Sequence, residues 1–296
     1  MAKIDKPEIV YYPYIGEKLN DEPFNLSNGV FSWTHQLKKK ADRLGYEIHT
    51  LDKAKWKNVA GVLFFDNLFY RNLSALQDLY DRKLLHKTIY IDYEPPTGHA
   101  KKHEPESIRK LSKLFKNVIT YDDELAGTGN FIKANVANFY SSASIKTNTP
   151  KEKLAIMITN NTTNDTIVNT LNYWNNTNYY NAKNIKYHKN AAYHKRLEVV
   201  NYFLRYHPED LDLYGDNYPK ETTIINRGFL NRSNKLEVMQ KHKFAITFDS
   251  YINQKGYISE KIFDAFYAGV VPVYMGADNV YSYIPYACFI NAKEFA

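Results

Sequence analysis

Residues 244–276 are the stretch that most constrains the fold. Phe244-Ala-Ile-Thr-Phe248 is a short apolar run of strand length, and it passes into a polar loop over 249–258. Ser259 then opens a segment reaching Tyr267 with apolar positions at helical spacing. Gly269 stops that segment, and Val270-Val-Pro-Val-Tyr-Met-Gly276 is a second apolar run. A strand, a helix and a strand in succession imply a parallel pair, which must be covered on both faces. The expected class is therefore α/β.

The same alternation runs through the rest of the chain. Strands are expected at 9–13, 46–50, 59–65, 88–93 and 117–121, with helices at 33–44 and 107–115. A polar stretch at 144–152, containing Pro150, reads as a linker. Beyond it a strand is expected at 154–159, a helix at 193–206, a strand at 211–215 and a helix at 235–242. Residues 160–190 are rich in Asn and Tyr, the composition of an inserted loop. Two domains follow, 1–150 and 151–296. Each is a Rossmann-like α/β/α unit, and together they are expected to face a central cleft where ligands bind.

Composition narrows the function. Apolar residues make up 44% and aromatics 15%, too much for a disordered chain. Cys288 is the single cysteine, so a disulfide framework within the chain is excluded. No apolar run of about eighteen residues exists, and residues 1–6 lack a signal-peptide core. A cytoplasmic protein is expected. The formal charge of +7 suits an anionic membrane surface or a phosphorylated small molecule. Peripheral association at the inner face of a membrane fits that charge. No nucleic-acid motif accompanies the dispersed lysines, so nucleic acid is not expected as a partner.

The chemistry concentrates where the helix of the 244–276 unit begins. Ser259 is a natural N-cap, and Glu260 and Lys261 occupy the first turn. A helix start carries free N–H groups and partial positive charge, so it favours anions. A lysine there suits a diphosphate, and a neighbouring carboxylate suits ribose hydroxyls. By spacing alone, the commoner reading of such a pair is an ordinary solvated helix start.

The ordered residues Phe244, Phe248-Asp249-Ser250, Tyr257-Ile258-Ser259-Glu260-Lys261, Ala268-Gly269-Val270-Val271-Pro272-Val273, Pro285 and Phe289-Ile290 decide between these readings. Their pattern resembles that of the α1,3-fucosyltransferases, glycosyltransferase family 10, which have the GT-B fold. The resemblance implies an inverting enzyme that transfers L-fucose from GDP-fucose to a hydroxyl of an oligosaccharide or lipid-linked glycan. The acceptor would bind the N-terminal domain and the nucleotide sugar the C-terminal one. Donor-binding residues implied are Tyr257, Glu260 for the ribose and Lys261 for the phosphates. Arg196, near the start of a helix beyond the Asn-rich stretch, matches a family arginine, and its fork would hold the diphosphate. The alternative for Arg196 is a surface helix charge.

Asp249-Ser250 stands where the family has Glu-Asn, at positions close to the donor, so donor contacts are expected to differ there. A different nucleotide-sugar donor, or a non-catalytic glycan- or nucleotide-binding relative, is the competing reading. The family also continues past its Phe-Ile strand, which implies a shortened C-terminal end here.

Inverting transfer needs a base for the acceptor hydroxyl. The resemblance places it after a strand of the first half, where Thr88-Ile-Tyr-Ile-Asp92-Tyr93-Glu94-Pro95-Pro96 stands. Glu94 is the expected base and Asp92 the second choice. His35 and His103 read as ordinary histidines, and Asp122-Asp123-Glu124 and Asp210-x-Asp212 do not read as a metal motif. No metal or other cofactor is expected to be required, since basic groups and a helix start can hold a diphosphate.

Overall fold

The computed structural model describes residues 5–13, 19–25, 32–65, 73–93, 95, 105–135, 140, 148–160, 190, 192–216, 218 and 220–295. The chain divides into two units, Met1–Ser141 and Ser142–Ala296.

The first unit holds a six-stranded sheet. Its strands are β1 (Glu8–Tyr12), β2 (Glu47–Thr50), β3 (Val59–Phe65), β4 (Thr88–Asp92), β5 (Asn117–Thr120) and β6 (Phe131–Lys133). They lie in the order β2-β1-β3-β4-β5-β6, and every pairing is parallel. Among the described residues three α-helices accompany them: α1 (Ser32–Arg43), α2 (Leu73–Asp81) and α3 (Pro105–Ser112). The period-2 pleat sorts the buried side chains into two layers. Val10, Tyr12, Val62 and Phe64 join Leu79 of α2 and Ile108 of α3. Tyr11, Phe65 and Ile91 join Ala41 of α1 and Phe24. Each such side chain, once buried, contributes about 1.5–3 kcal/mol.

The second unit repeats the scheme. Its strands are β7 (Lys153–Ile158), β8 (Leu211–Tyr214), β9 (His242–Phe248), β10 (Val271–Met275) and β11 (Ile290–Asn291). The order is β8-β7-β9-β10-β11, again all parallel. Among the described residues the α-helices are α4 (Tyr193–Tyr206), α5 (Lys235–Met239) and α6 (Glu260–Tyr267). Ala155, Met157, Leu211 and Leu213 pack on Val200 of α4. Ile262 of α6 packs with Tyr274, Val280 and Phe289. In both units the chain order reverses beside the first strand, which makes a topological switch point there. In the second unit that point lies between β7 and β9.

Several elements differ from the sequence expectation. α2 was not foreseen, although Leu73, Leu76 and Leu79 recur at a helical interval. β6 spans three residues, too few for a pattern to show. α5 ends at Met239 instead of 242, because His242 pairs with Lys153 as the first residue of β9. Residues 148–152 side with the second unit. The Lys151 ammonium donates to the carbonyls of Gln240 (3.0 Å) and Gly269 (2.8 Å), just past the ends of α5 and α6. The Asn-rich residues 161–189 lie outside the described residues.

Candidate functional site at the carboxyl ends of β7 and β9

Ligands of doubly wound sheets sit beyond the carboxyl ends of the strands, at the switch point. In the second unit Thr159-Asn160 follows β7 and Asp249-Ser250 follows β9. β7 and β8 meet closely there. A Cβ on Gly215 would lie 1.9 Å from the Thr159 carbonyl oxygen, so only glycine fits, and its φ of 157° is one that other residues rarely adopt. Asp216 N donates to Asn160 Oδ1 at 3.0 Å.

α6 begins beside the end of β9. Ser259 has extended backbone and caps the helix by accepting from Lys261 N. At the other end of α6, Gly269 N donates to Phe266 O and Val270 N to Ala265 O, both at 3.0 Å, with Gly269 at φ 64°. That is a Schellman stop, and it satisfies the last carbonyls.

The start of α6 is fixed by Asp249. This carboxylate is fully buried. Its Oδ1 accepts from the Ser259 hydroxyl and, at 3.3 Å, from Ser259 N. Its Oδ2 accepts from the Tyr274 hydroxyl at 2.7 Å. The Tyr274 oxygen in turn accepts from Ala277 N at 2.9 Å. Burial pushes the Asp249 carboxyl up to about 6, against the opposing pull of Lys261 and of the Ser259 and Tyr274 hydrogen bonds. The family resemblance implies a donor contact for Asp249. With no exposed surface, its carboxylate instead acts through Ser259 and Tyr274.

Ser250 is half-buried. Its hydroxyl lies 3.0 Å from the Tyr257 hydroxyl, and its carbonyl accepts from Ala192 N at 3.0 Å, just ahead of α4. Tyr257 itself is buried. Glu260 and Lys261 both keep part of their side chains exposed. Lys261 Nζ lies 3.4 Å from Glu260 Oε1 and 3.3 Å from Ser259 Oγ. Burial would raise the Glu260 carboxyl, but Lys261 and Lys235 outweigh it and hold the group at about 2. Lys235 was missed at the sequence level. Its ammonium is paired with the fully buried Asp264 of α6. Nothing in its sequence surroundings marks it, because its partner lies one helix away.

Arg196 occupies the first turn of α4 and is 5% exposed, which rules out a surface helix charge. Its Nη2 donates to the Phe248 carbonyl at 2.8 Å, at the last residue of β9. Its Nε is buried with no hydrogen-bond partner. Arg196 and the N-cap of α6 therefore grip consecutive residues, Phe248 and Asp249. A guanidinium with an uncommitted donor, a lysine and a capped helix start converge on one strand end. Such a set suits a diphosphate.

The first unit is less complete. Glu94 lies outside the described residues, as does His103. Asp92 is buried and accepts from the Thr120 hydroxyl at 3.5 Å. Asp122 caps a turn by accepting from Glu124 N at 2.7 Å, and Asp123 pairs with Lys133 at 2.7 Å. His35 Nδ1 lies 2.7 Å from the Phe24 carbonyl oxygen. Asp212 pairs with Arg227 (2.8 Å) and His242 (3.2 Å) near the amino end of β8. Among the described residues, His207, Glu209 and Asp210 form the one group with three metal-ligand atoms within 4.8 Å of one another. That group precedes β8, away from the strand ends where Asp249 and Arg196 meet.

The family model "Glycosyltransferase family 10 (fucosyltransferase) C-term" matches residues 158–296. A 69-residue stretch is 38% identical to 4-galactosyl-N-acetylglucosaminide 3-alpha-L-fucosyltransferase 9 of Mus musculus and 36% identical to that of Homo sapiens. The match covers 23% of this chain and spans only 19% of each relative's length. Among solved structures, an alpha1,3-fucosyltransferase is similar with a TM-score of 0.57 at 15% identity, over 100% of this chain and 76% of that one. An alpha1,3-fucosyltransferase with GDP gives a TM-score of 0.54 with the same identity and coverage. A DNA-modifying beta-glucosyltransferase gives 0.52 at 11% identity, over 96% of this chain and 84% of that one. At these identities the likeness shows the fold, that of the GT-B glycosyltransferases. The stretch that builds the Asp249–Ser259–Lys261 site thus lies inside the segment, residues 158–296, that matches the model of glycosyltransferase family 10, the fucosyltransferases.

Proposed function

We propose that the chain is an inverting glycosyltransferase that moves L-fucose from GDP-fucose to a hydroxyl of an oligosaccharide or lipid-linked glycan. One observation carries this reading: Glu260 and Lys261 stand in the first turn of α6, locked by Asp249 beside the strand end that Arg196 holds. In this reading the amides of α6, Lys261 and Arg196 take the diphosphate, and Glu260 accepts from the ribose hydroxyls.

Glu94 is the proposed base. It follows β4 in the chain, where the family resemblance places that group. It removes the proton of the acceptor hydroxyl as the oxygen attacks the anomeric carbon from the face opposite GDP. The transition state is oxocarbenium-like, and negative charge grows on the departing diphosphate. Lys261, Arg196 and the helix start stabilise that charge. No metal is invoked, and turnover undiminished by EDTA is the expected outcome.

Because Asp249 is buried, the departure from the family pattern at that position bears on packing and does not by itself favour another donor. The test is product formation from GDP-fucose and an N-acetyllactosamine-type acceptor. Thermal-shift measurements with GDP-fucose, GDP-mannose and UDP-glucose would separate the donors. Glu94→Gln should abolish turnover while leaving GDP binding intact; retained turnover would sink the base assignment.

A further inference from the structure

The net charge of +7 is not absorbed by the site above. Part of it collects in the first unit, at the end of the sheet remote from the strand carboxyl ends. A hollow of about 690 Å³ opens between the end of α2, the turn before β4, and the segment joining α3 to β5. Lys83, His86, Lys113 and Lys116 line it, and all four are exposed. Among the described residues none of the four is in an ion pair. Neighbouring basic residues behave differently: Arg82 pairs with Asp78 at 2.9 Å and Lys110 with Glu106 at 2.8 Å. The one acidic group on the rim, Asp81, accepts from Gln77 Nε2 at 2.8 Å.

Two large apolar side chains stand on the same rim. Tyr80 is 65% exposed and Leu114 is 44% exposed. Buried Phe115 forms the floor, stacked on Tyr90 at 5.3 Å. A rim of cationic side chains with a projecting tyrosine and leucine matches the interfacial zone of an anionic bilayer. Ammonium groups meet lipid phosphates there, while amphipathic and apolar side chains enter the boundary with the acyl chains.

We propose that this hollow is the surface by which the chain seats on an anionic lipid bilayer. The occupant is the membrane surface, held by headgroup phosphates against Lys83, Lys113 and Lys116, with Tyr80 and Leu114 inserted. The seat lies at the amino ends of β4 and β5, so the carboxyl ends of that sheet stay clear of the lipid. The assignment does not depend on the identity of the transferred sugar.

The test is co-sedimentation with vesicles of phosphatidylcholine alone and of phosphatidylcholine with phosphatidylglycerol, near 0.1 M salt. The wild type should bind only the anionic vesicles. Each lysine near such a surface is worth about five-fold in partition, so Lys113→Gln with Lys116→Gln should weaken binding about 30-fold. Lys39→Gln with Lys40→Gln, the same charge change on the exposed face of α1, should leave binding within about two-fold. Equal losses in both double variants would reduce the effect to net charge and overturn the proposal. So would failure of the wild type to bind anionic vesicles. Thermal stabilisation by free glycerol 3-phosphate without vesicles, present in the wild type and lost in Lys113→Gln with Lys116→Gln, would assign the hollow to a small phosphorylated ligand instead, and would equally overturn it. Both pairs are exposed, so circular dichroism should show unchanged folding in every variant.

Discussion

The Tyr274 hydroxyl donates to Asp249 Oδ2 at 2.7 Å, while the Ser259 N-cap donates to the other oxygen of the same carboxylate. One buried group therefore joins the end of β9, the start of α6 and the end of β10. Its position sets where the free N–H groups of α6 point. The loop over 249–258 is thereby closed at both ends, at Asp249 and at Ser259.

This joint leaves no room at Gly276. A Cβ there would lie 2.0 Å from the Tyr274 hydroxyl and 2.4 Å from Asp249 Oδ2. Gly276→Ala must push one of these side chains aside, costing about 1–3 kcal/mol as overpacking generally does. Gly215→Ala should cost more, because its Cβ meets backbone, 1.9 Å from the Thr159 carbonyl oxygen, and backbone yields less readily than a side chain. Chemical denaturation of the two variants should rank them in that order. Gly276→Ala should also weaken GDP binding, since it disturbs the Asp249–Tyr274 contact that fixes the start of α6.

The Asp249 carboxyl titrates at about 6 instead of the ordinary 3.8, because burial disfavours its charge. A raised folded-state value means the folded protein holds the proton more tightly than the unfolded chain. The stabilisation is complete below about pH 4 and is lost as pH rises through about 6, a change on the order of 3 kcal/mol. Asp249→Asn cannot titrate. Its Tm should therefore rise relative to the wild type between pH 4 and pH 7. Parallel Tm curves over that range would contradict the assignment.

These features divide by how far apart their partners lie in the chain. The 244–276 unit was legible because strand, cap, helix and stop signals fall within about thirty residues, and Ser259 and Gly269 each act on neighbours one to four positions away. The parallel sheets were legible for the same reason. The role of Asp249 was not, because its partner Tyr274 lies 25 positions on, and a carboxylate beside a site reads as a ligand contact until its burial is known. Lys235 is paired with Asp264, 29 positions away, and no local signal points to it. Arg196 was found through the family pattern, but its grip on the Phe248 carbonyl spans 52 positions and is a tertiary fact.

Glu260 and Lys261 should separate in their effects. If Lys261 takes the diphosphate as proposed, Lys261→Ala should weaken GDP and GDP-fucose binding about 10- to 100-fold, the loss of one to two charge-assisted hydrogen bonds. Glu260→Gln keeps shape and removes charge, and its smaller loss should appear with nucleosides as well as nucleotides. The low value of about 2 for Glu260 implies that it stays ionised as pH falls to about 3. Its attraction to Lys261 and Lys235 stabilises the fold above the ordinary carboxylate range and is lost as pH drops through about 2. Donor affinity should accordingly show no titration from this residue between pH 5 and pH 8. Calorimetry with GDP across that range would expose one if present.

Arg196 offers the sharpest distinction between holding the fold and holding the ligand. Its guanidinium is buried, donates to Phe248 O and keeps Nε without a partner. Arg196→Lys retains the charge and can still reach one carbonyl, yet it loses the planar fork that matches a diphosphate. Stability should fall by about 1–2 kcal/mol, the scale of a buried charged hydrogen bond made less well. GDP binding should fall further, by about 100-fold, because the charged donor not committed to Phe248 O is lost to the ligand. A purely structural role predicts the opposite pattern: once the variant is folded, GDP affinity would match the wild type. Measuring Tm and GDP affinity on the same preparation decides between the two.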